Sequence, residues 1–262
     1  MNKRLLSVFL VVTLLLNGCM LAAVRGSGKV VTESRMVSDF EQVEVCCGMH
    51  LVLTQGDNVQ LTLEADDNLL PEIETVVRGG TLTVRFRSQL GLVNLRLNRP
   101  IIVNLQMPTI HGVTITGGGS LETARLEMDR LTLEFSGGSQ GAIGDLQATN
   151  VDLSTSGGGQ VTIDQVESDT LDLAISGGGR TTIASGAVTN QRLSLSGGSH
   201  YDGAAVEGET ATLDLSGGAE AKVWVTERLV VQASGGSQVE YAGNPALEQS
   251  LSGGSQLRAV ER

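Results

Sequence analysis

The sequence predicts an all-β chain wound as a single-stranded parallel β-helix of about 20 residues per coil, entered through an irregular N-terminal β cap. Three observations predict it. A small hydroxylated residue followed by two glycines recurs at Thr116, Ser136, Ser156, Ser176, Ser196, Ser216, Ser234 and Ser252, in steps of 20, 20, 20, 20, 20, 18 and 18. Between these corners apolar and polar residues alternate with the period of two that marks a strand with one wet face. No stretch of the repeats sustains the 3.6-residue period of a helix. A fixed period of this length signals stacked units, each burying its apolar side only against its neighbours.

The chain opens with Lys3 and Arg4, then an almost unbroken apolar run from Leu5 to Leu16, then Asn17-Gly18-Cys19. The run is too short to span a bilayer as a helix, and its flanks suit an export signal over residues 1–18. Leu16-Asn17-Gly18-Cys19 resembles the bacterial lipobox, which implies diacylglycerol and palmitate on Cys19 and membrane lipid as a partner. Several acyl chains hold stably because each buried methylene adds about 0.8 kcal/mol. Met20 rather than Asp follows the cysteine, which by resemblance to Gram-negative lipoproteins implies the outer membrane of the cell envelope. The other reading is an ordinary secretory signal with an incidental cysteine.

Residues 19–34, with Gly26, Ser27 and Gly28, read as a tether between anchor and domain. Residues 35–110 read as first, irregular coils forming the cap, with strands at Gln42–Val45, His50–Leu53, Val59–Glu64, Thr81–Phe86 and Ile101–Leu105. Asp66 to Val77 has room for one helical turn, restricted by Pro71. Residues 111–262 form the regular repeat, each coil read as about two short strands and a turn. Its inward columns run Val113, Leu133, Leu153, Leu173, Leu193, Leu213, Val231 and Ile115, Phe135, Thr155, Ile175, Leu195, Leu215, Ala233, Leu251. At ~4.8 Å per strand step the eight corners stack to roughly 34 Å.

The corner glycines are Gly117, Gly118, Gly137, Gly138, Gly157, Gly158, Gly177, Gly178, Gly197, Gly198, Gly217, Gly218, Gly235, Gly236, Gly253 and Gly254. A corner needs close backbone approach or positive φ, and glycine supplies both at low cost. The next column is also small, and its serines are expected to form a hydroxyl ladder that caps the following coil. Phosphate cradling is the functional alternative, but no copy opens a helix or carries a Lys. The calcium-binding nonapeptide also fails, because the copies lack its Asp.

Asp39-Phe40-Glu41-Gln42-Val43, Asp67-Asn68-Leu69-Leu70, Gly79-Gly80-Thr81-Leu82-Thr83-Val84 and the serial Ser-Gly-Gly corners resemble the head GIN domain family over roughly residues 35–256. Its members are described as "putative auto-transporter adhesins". The resemblance implies an exported bacterial protein, often a lipoprotein, with a β-helical fold. It brings no catalytic residues.

The 18 Lys and Arg against 29 Asp and Glu leave a net charge of −11, and loss of Lys3 and Arg4 with the signal deepens it. Residues 111–262 hold 8 basic and 19 acidic side chains. That balance lacks the basic footprint of a nucleic-acid binder. Cys46 and Cys47 have no His or further Cys at metal spacing. If they lie on a strand they point to opposite faces; plain thiols, a vicinal disulfide and an intermolecular link are the alternatives. His50, His111 and His200 have no partner at ligand spacing, and Ser199-His200-Tyr201-Asp202 diverges rather than converging as a triad. No cofactor motif is present.

Asp152 and Asp172 share an outward column in successive coils, ~4.8 Å apart at the backbone. Retaining glycosidases place two carboxyls at ~5–5.5 Å, so a polysaccharide-acting enzyme is the alternative to a non-enzymatic adhesin or surface-binding protein. The chain's one Trp, two Tyr and four Phe leave few aromatic platforms for sugar rings. The ligand expected is a glycan or another envelope protein. Residues 247–262 start another coil with Leu247, Leu251 and Leu257, and an open sheet edge there predicts self-association or docking, against a guarded monomer. Replacing Cys19 with Ser is expected to abolish acyl labelling and leave a soluble or unprocessed chain; a Cys19→Ser form that still labels with lipid overturns the anchor.

Overall fold

The computed structural model describes residues 25–87 and 99–261; Cys19 lies outside the described residues. The chain is a β-solenoid whose regular coils repeat at the interval that the corner spacing predicts. The N-terminal part holds β1 (Val30–Arg35), β2 (Gln42–Val45), β3 (His50–Gln55), β4 (Gln60–Asp66), β5 (Ile73–Arg78), β6 (Thr81–Phe86), β7 (Ile102–Met107) and β8 (Gly112–Ile115). The repeat holds β9 (Ser120–Ser136), β10 (Gln140–Gly157), β11 (Gln160–Gly177), β12 (Arg180–Ile183), β13 (Gly186–Gly197), β14 (His200–Gly217) and β15 (Glu220–Ala233). It ends in β16 (Gln238–Ala242), β17 (Ala246–Leu251) and β18 (Gln256–Ala259).

Each regular coil has three sides rather than two. The parallel ladder between β10 and β11 runs from Gln140↔Gln160 to Ile143↔Ile163, skips Gly144, resumes to Ala148↔Ser168, skips Thr149, and continues to Gly157↔Gly177. The middle side buries a column that the alternation does not reveal: Leu126, Leu146, Val166 and Val206. It is short, so its alternation spans only two inward residues per coil and gives a weak period. The two expected inward columns are buried from Val113 to Val231 and from Ile115 to Ala233. Burying each Leu, Val or Ile stabilises by about 1.5–3 kcal/mol. Phe135 fits because Gly141 stands beside it, where a Cβ would lie 2.6 Å from the ring.

The shortening of the last coils is absorbed on one stretch. Between β14 and β15 the register slips after Gly203 and again after Gly208, while His200↔Glu220 and Leu213↔Val231 keep the outer sides aligned. In the last coil Gln249 takes the inward column below Val231, and β17 is exposed throughout. The apolar end expected from Leu247 and Leu251 is thus interrupted by an amide.

The cap is stacked out of sequence order. β2 and β3 lie parallel on β8 and β9, forming a first coil over the repeat. β6 and β7, which come later in the chain, lie parallel on the other side of β2 and β3. β5 then closes β6 antiparallel, and β4 closes β7 antiparallel. β1 pairs antiparallel with β4 along its whole length, Val30↔Asp66 to Arg35↔Leu61. This corrects the tether of residues 19–34: from Val30 onward it is a strand of the cap. The expected helical turn is a single 3-10 turn at Leu70–Glu72, with Pro71 inside it, and β5 follows at once.

At the first two corners both glycines have positive φ, but from Gly157 onward the two differ. Gly177 has φ +82, and a Cβ there would sit 2.8 Å from the Gly157 carbonyl oxygen. Gly178 has no positive φ, its nearest neighbour would be 3.9 Å away, and its N–H donates to Gly157 O at 2.8 Å. The serine ladder follows the expectation only in part. Ser237 Oγ meets Gly217 O of the neighbouring coil at 3.4 Å as well as Ser234 O of its own corner at 2.9 Å, whereas Ser255 Oγ donates to Ser252 O at 2.9 Å inside its own corner. Ser139 and Ser199 are buried with no partner for the hydroxyl. Gly177→Ala is expected to lower stability by about 1–3 kcal/mol. Gly178→Ala should change it by less than about 0.5 kcal/mol. Equal denaturation midpoints for the two variants would contradict this assignment.

Candidate binding face

The third side of the coil carries two outward columns. One reads Thr132, Asp152, Asp172, Arg192, Thr212 and the other Glu134, Ser154, Ala174, Ser194, Asp214, both fixed by the parallel register. In the second column the side chains are long at the ends and small in the middle. Five adjacent coils therefore leave a shallow groove of about 480 Å³ across the strands, floored by Ser154, Ala174 and Ser194. Carboxylates at Glu134, Asp152, Asp172 and Asp214 rim it, with Arg192 as the single cation among its lining residues.

Asp152 and Asp172 are brought together as the sequence predicts, side by side on β10 and β11. Each is engaged by an arginine: Asp172 accepts from Arg192 Nη1 at 3.1 Å, and Asp152 lies 4.0 Å from Arg130 Nη1. Both carboxylates are partly exposed. This is an open, charged ladder rather than an enclosed pair of carboxyls. The groove was missed in the sequence, although the run Ser-Ala-Ser at one-coil spacing between Glu134 and Asp214 was its available signal.

The histidines stay apart. His200 pairs with Glu220 Oε2 at 2.9 Å across one coil step, while Tyr201 turns inward and is buried. Burial pushes the Tyr201 phenol well above its usual range, with Asp202 adding to the shift. His111 meets Glu41 Oε2 at 3.0 Å, and His50 meets Ser120 Oγ at 2.7 Å and Glu122 at 3.3 Å. Among the described residues no three His, Cys, Asp or Glu side chains gather as a metal site.

Cys46 and Cys47 form a vicinal disulfide. The pair sits not on a strand but on the first corner, directly over Gly117, so the rule of opposite faces does not apply. Cys47 has φ +68 where Gly117 has +59. A Cβ at Gly117 would press on Cys47 N at 3.3 Å, so the repeat needs glycine there. Of the sequence alternatives, the vicinal disulfide is the one present.

Solenoid coils, a closed cap and an open polar face define a β-solenoid module. The chain belongs to the family "Putative auto-transporter adhesin, head GIN domain", whose model matches residues 39–245. Solved structures share the fold. A "putative lipid binding protein" from Parabacteroides distasonis is 18% identical, with a TM-score of 0.83 over 91% of this chain and 99% of that one. A "putative adhesin" from Parabacteroides merdae is also 18% identical, with a TM-score of 0.78 over 91% and 99%. Another "putative adhesin" from P. distasonis is 19% identical, with a TM-score of 0.82 over 91% and 100%. No protein of curated function matches the chain.

A disulfide at the first corner leaves no free thiol among residues 25–261. Alkylation of the denatured, unreduced chain is expected to modify neither Cys46 nor Cys47, and both only after reduction. Modification without reductant, read by peptide mass, would contradict the pairing.

Proposed function

We propose that this protein is a non-enzymatic, lipid-anchored component of the bacterial cell envelope that binds an extended glycan along the groove of five coils. The observation that carries the reading is the groove itself. Hydroxyl and carboxylate groups repeat across it at the strand step of ~4.8 Å, above a floor of small side chains. A polyhydroxylated polymer laid across the strands meets the same acceptors and donors at each coil. The adhesin and lipid-binding descriptions of its relatives support a surface-binding role. The lipobox-like Leu16-Asn17-Gly18-Cys19 supports an acyl anchor at Cys19 and an outer-membrane location.

The alternative, hydrolysis by Asp152 and Asp172, makes a different prediction for the same polymer. A binder retains it intact, whereas a hydrolase releases new reducing ends. Ala174→Trp fills the groove floor without touching the core. On a glycan array the wild-type domain is expected to retain one class of polymer and Ala174→Trp to lose at least about tenfold in affinity, roughly 1.4 kcal/mol. Unchanged binding by a folded Ala174→Trp would move the site off this face, and polymer cleavage by wild type that is lost in Asp152→Asn, with the polymer still retained, would favour the enzyme.

A further inference from the structure

The cap does not hang from a free linker. Ser27 N–H donates to Asn68 Oδ1 at 2.9 Å, and Asn68 Nδ2 returns a bond to Arg25 O at 2.9 Å. Ser27 Oγ donates to Asp67 Oδ1 at 2.6 Å, and Lys29 Nζ lies 3.3 Å from Asp67 Oδ2. Asp67 N–H closes the arrangement on Lys29 O at 2.9 Å. Gly26 is buried against the Asp66 carboxylate with no room for a Cβ. Residues 25–29 are therefore a strap, and β1 continues it along β4.

β1 is also the outermost of the described strands. On its face the strands run β1, β4, β7, β3, β9, β10, β11, β12, β14, β15, β16, β18. Eleven steps of ~4.8 Å put β18 about 53 Å from β1. Only residues 20–24 lie between Cys19 and the strap, a reach of at most about 17 Å. At the other end of β1, Met36 is 102% exposed, and the register carries it towards Val59, which is 41% exposed. Two of the four exposed large apolar side chains among the described residues thus lie on the β1–β4 edge, at the end of β1 away from the strap, and the other two, Leu247 and Leu251, lie on β17.

We propose that the β1 edge is a membrane-apposed surface: the strap seats the cap on the lipid, Met36 and Val59 dip into the interface, and the C-terminal coil is the distal tip. This rests on the acyl anchor at Cys19. A short docked strap leaves the solenoid little freedom to lie down or invert, and it lifts the binding groove clear of the headgroups. Exposed apolar side chains beside a tethered surface gain burial at the headgroup boundary, whereas in water they gain nothing.

The test uses the full acylated chain in phosphatidylethanolamine–phosphatidylglycerol vesicles carrying nitroxide on the headgroups. A fluorophore is placed on Met36→Cys or, separately, on Ser250→Cys, with the native disulfide left closed. Loss of fluorescence is expected at position 36 and none at position 250. Equal loss at both, or greater loss at 250, overturns the orientation. In Ser27→Ala/Asn68→Ala, with the β-sheet signal intact, vesicle attachment should persist while quenching at position 36 is lost. Persistent quenching there would overturn the strap. The mass of the N-terminal peptide reads the anchor separately: a chain without acyl groups removes the reading beneath this one.

Discussion

The backbone contact at the glycine corner is what the rest of the structure depends on. At Gly177 a positive φ and a carbonyl of the coil beneath coincide, so a side chain is excluded on two grounds. The next residue closes the contact: Gly178 N–H to Gly157 O, Gly198 N–H to Gly177 O and Gly218 N–H to Gly197 O are all 2.8 Å. Over these three steps the bonds pin one coil to the next at one constant offset. A slip by one residue would turn every inward Leu and Val outward. Constant offset is therefore what makes the inward columns pure, and pure columns are what give a thin solenoid a continuous core.

With stability held by inward columns and corners, the outward columns are free to differ from coil to coil. The groove arises from that freedom: Glu134 and Asp214 stand tall while Ser154, Ala174 and Ser194 between them do not. The same freedom is used for ion pairs across coil steps, such as Asp172 with Arg192 at the groove and Glu240 with both Lys222 and Arg258 beyond it. These exposed pairs contribute little stability individually. Solved relatives at 18–19% identity keep the fold at TM-scores near 0.8. The shared part is the architecture, and recognition has to come from columns that this architecture does not constrain.

The two poles are finished by different means. At the N-terminal pole antiparallel strands β4 and β5 end the parallel stack, and β1 with its strap covers β4. Antiparallel closure uses the same backbone groups as the coils but cannot be extended by another coil of the same kind. At the C-terminal pole Gln249 breaks the apolar column, while Arg228–Glu248 and Glu240–Arg258 place charge along the last coil. Inward polar residues and edge charges discourage strand addition.

The sequence by itself determined the coil. Its Ser-Gly-Gly spacing and the alternation of Leu133, Leu153 and Leu173 are local signals, repeated often enough to fix period, corner and inward face. Five cap strands were legible for the same reason, with Gln42–Val45 and Thr81–Phe86 found at their true bounds. Only the tertiary structure decided the rest, because the deciding contacts join residues far apart in the chain. β2 lies between β6 and β8, with Gln42 beside Thr81 on one side and Gly112 on the other, an order that no local pattern encodes. β1 read as a linker because its partner is β4 and its alternation is weak. Cys46 and Cys47 pair because the pair lands on a corner, where the backbone turns and the alternation of a strand is lost. The groove, too, exists only once five coils are stacked: it is a difference in side-chain length between neighbours one coil apart.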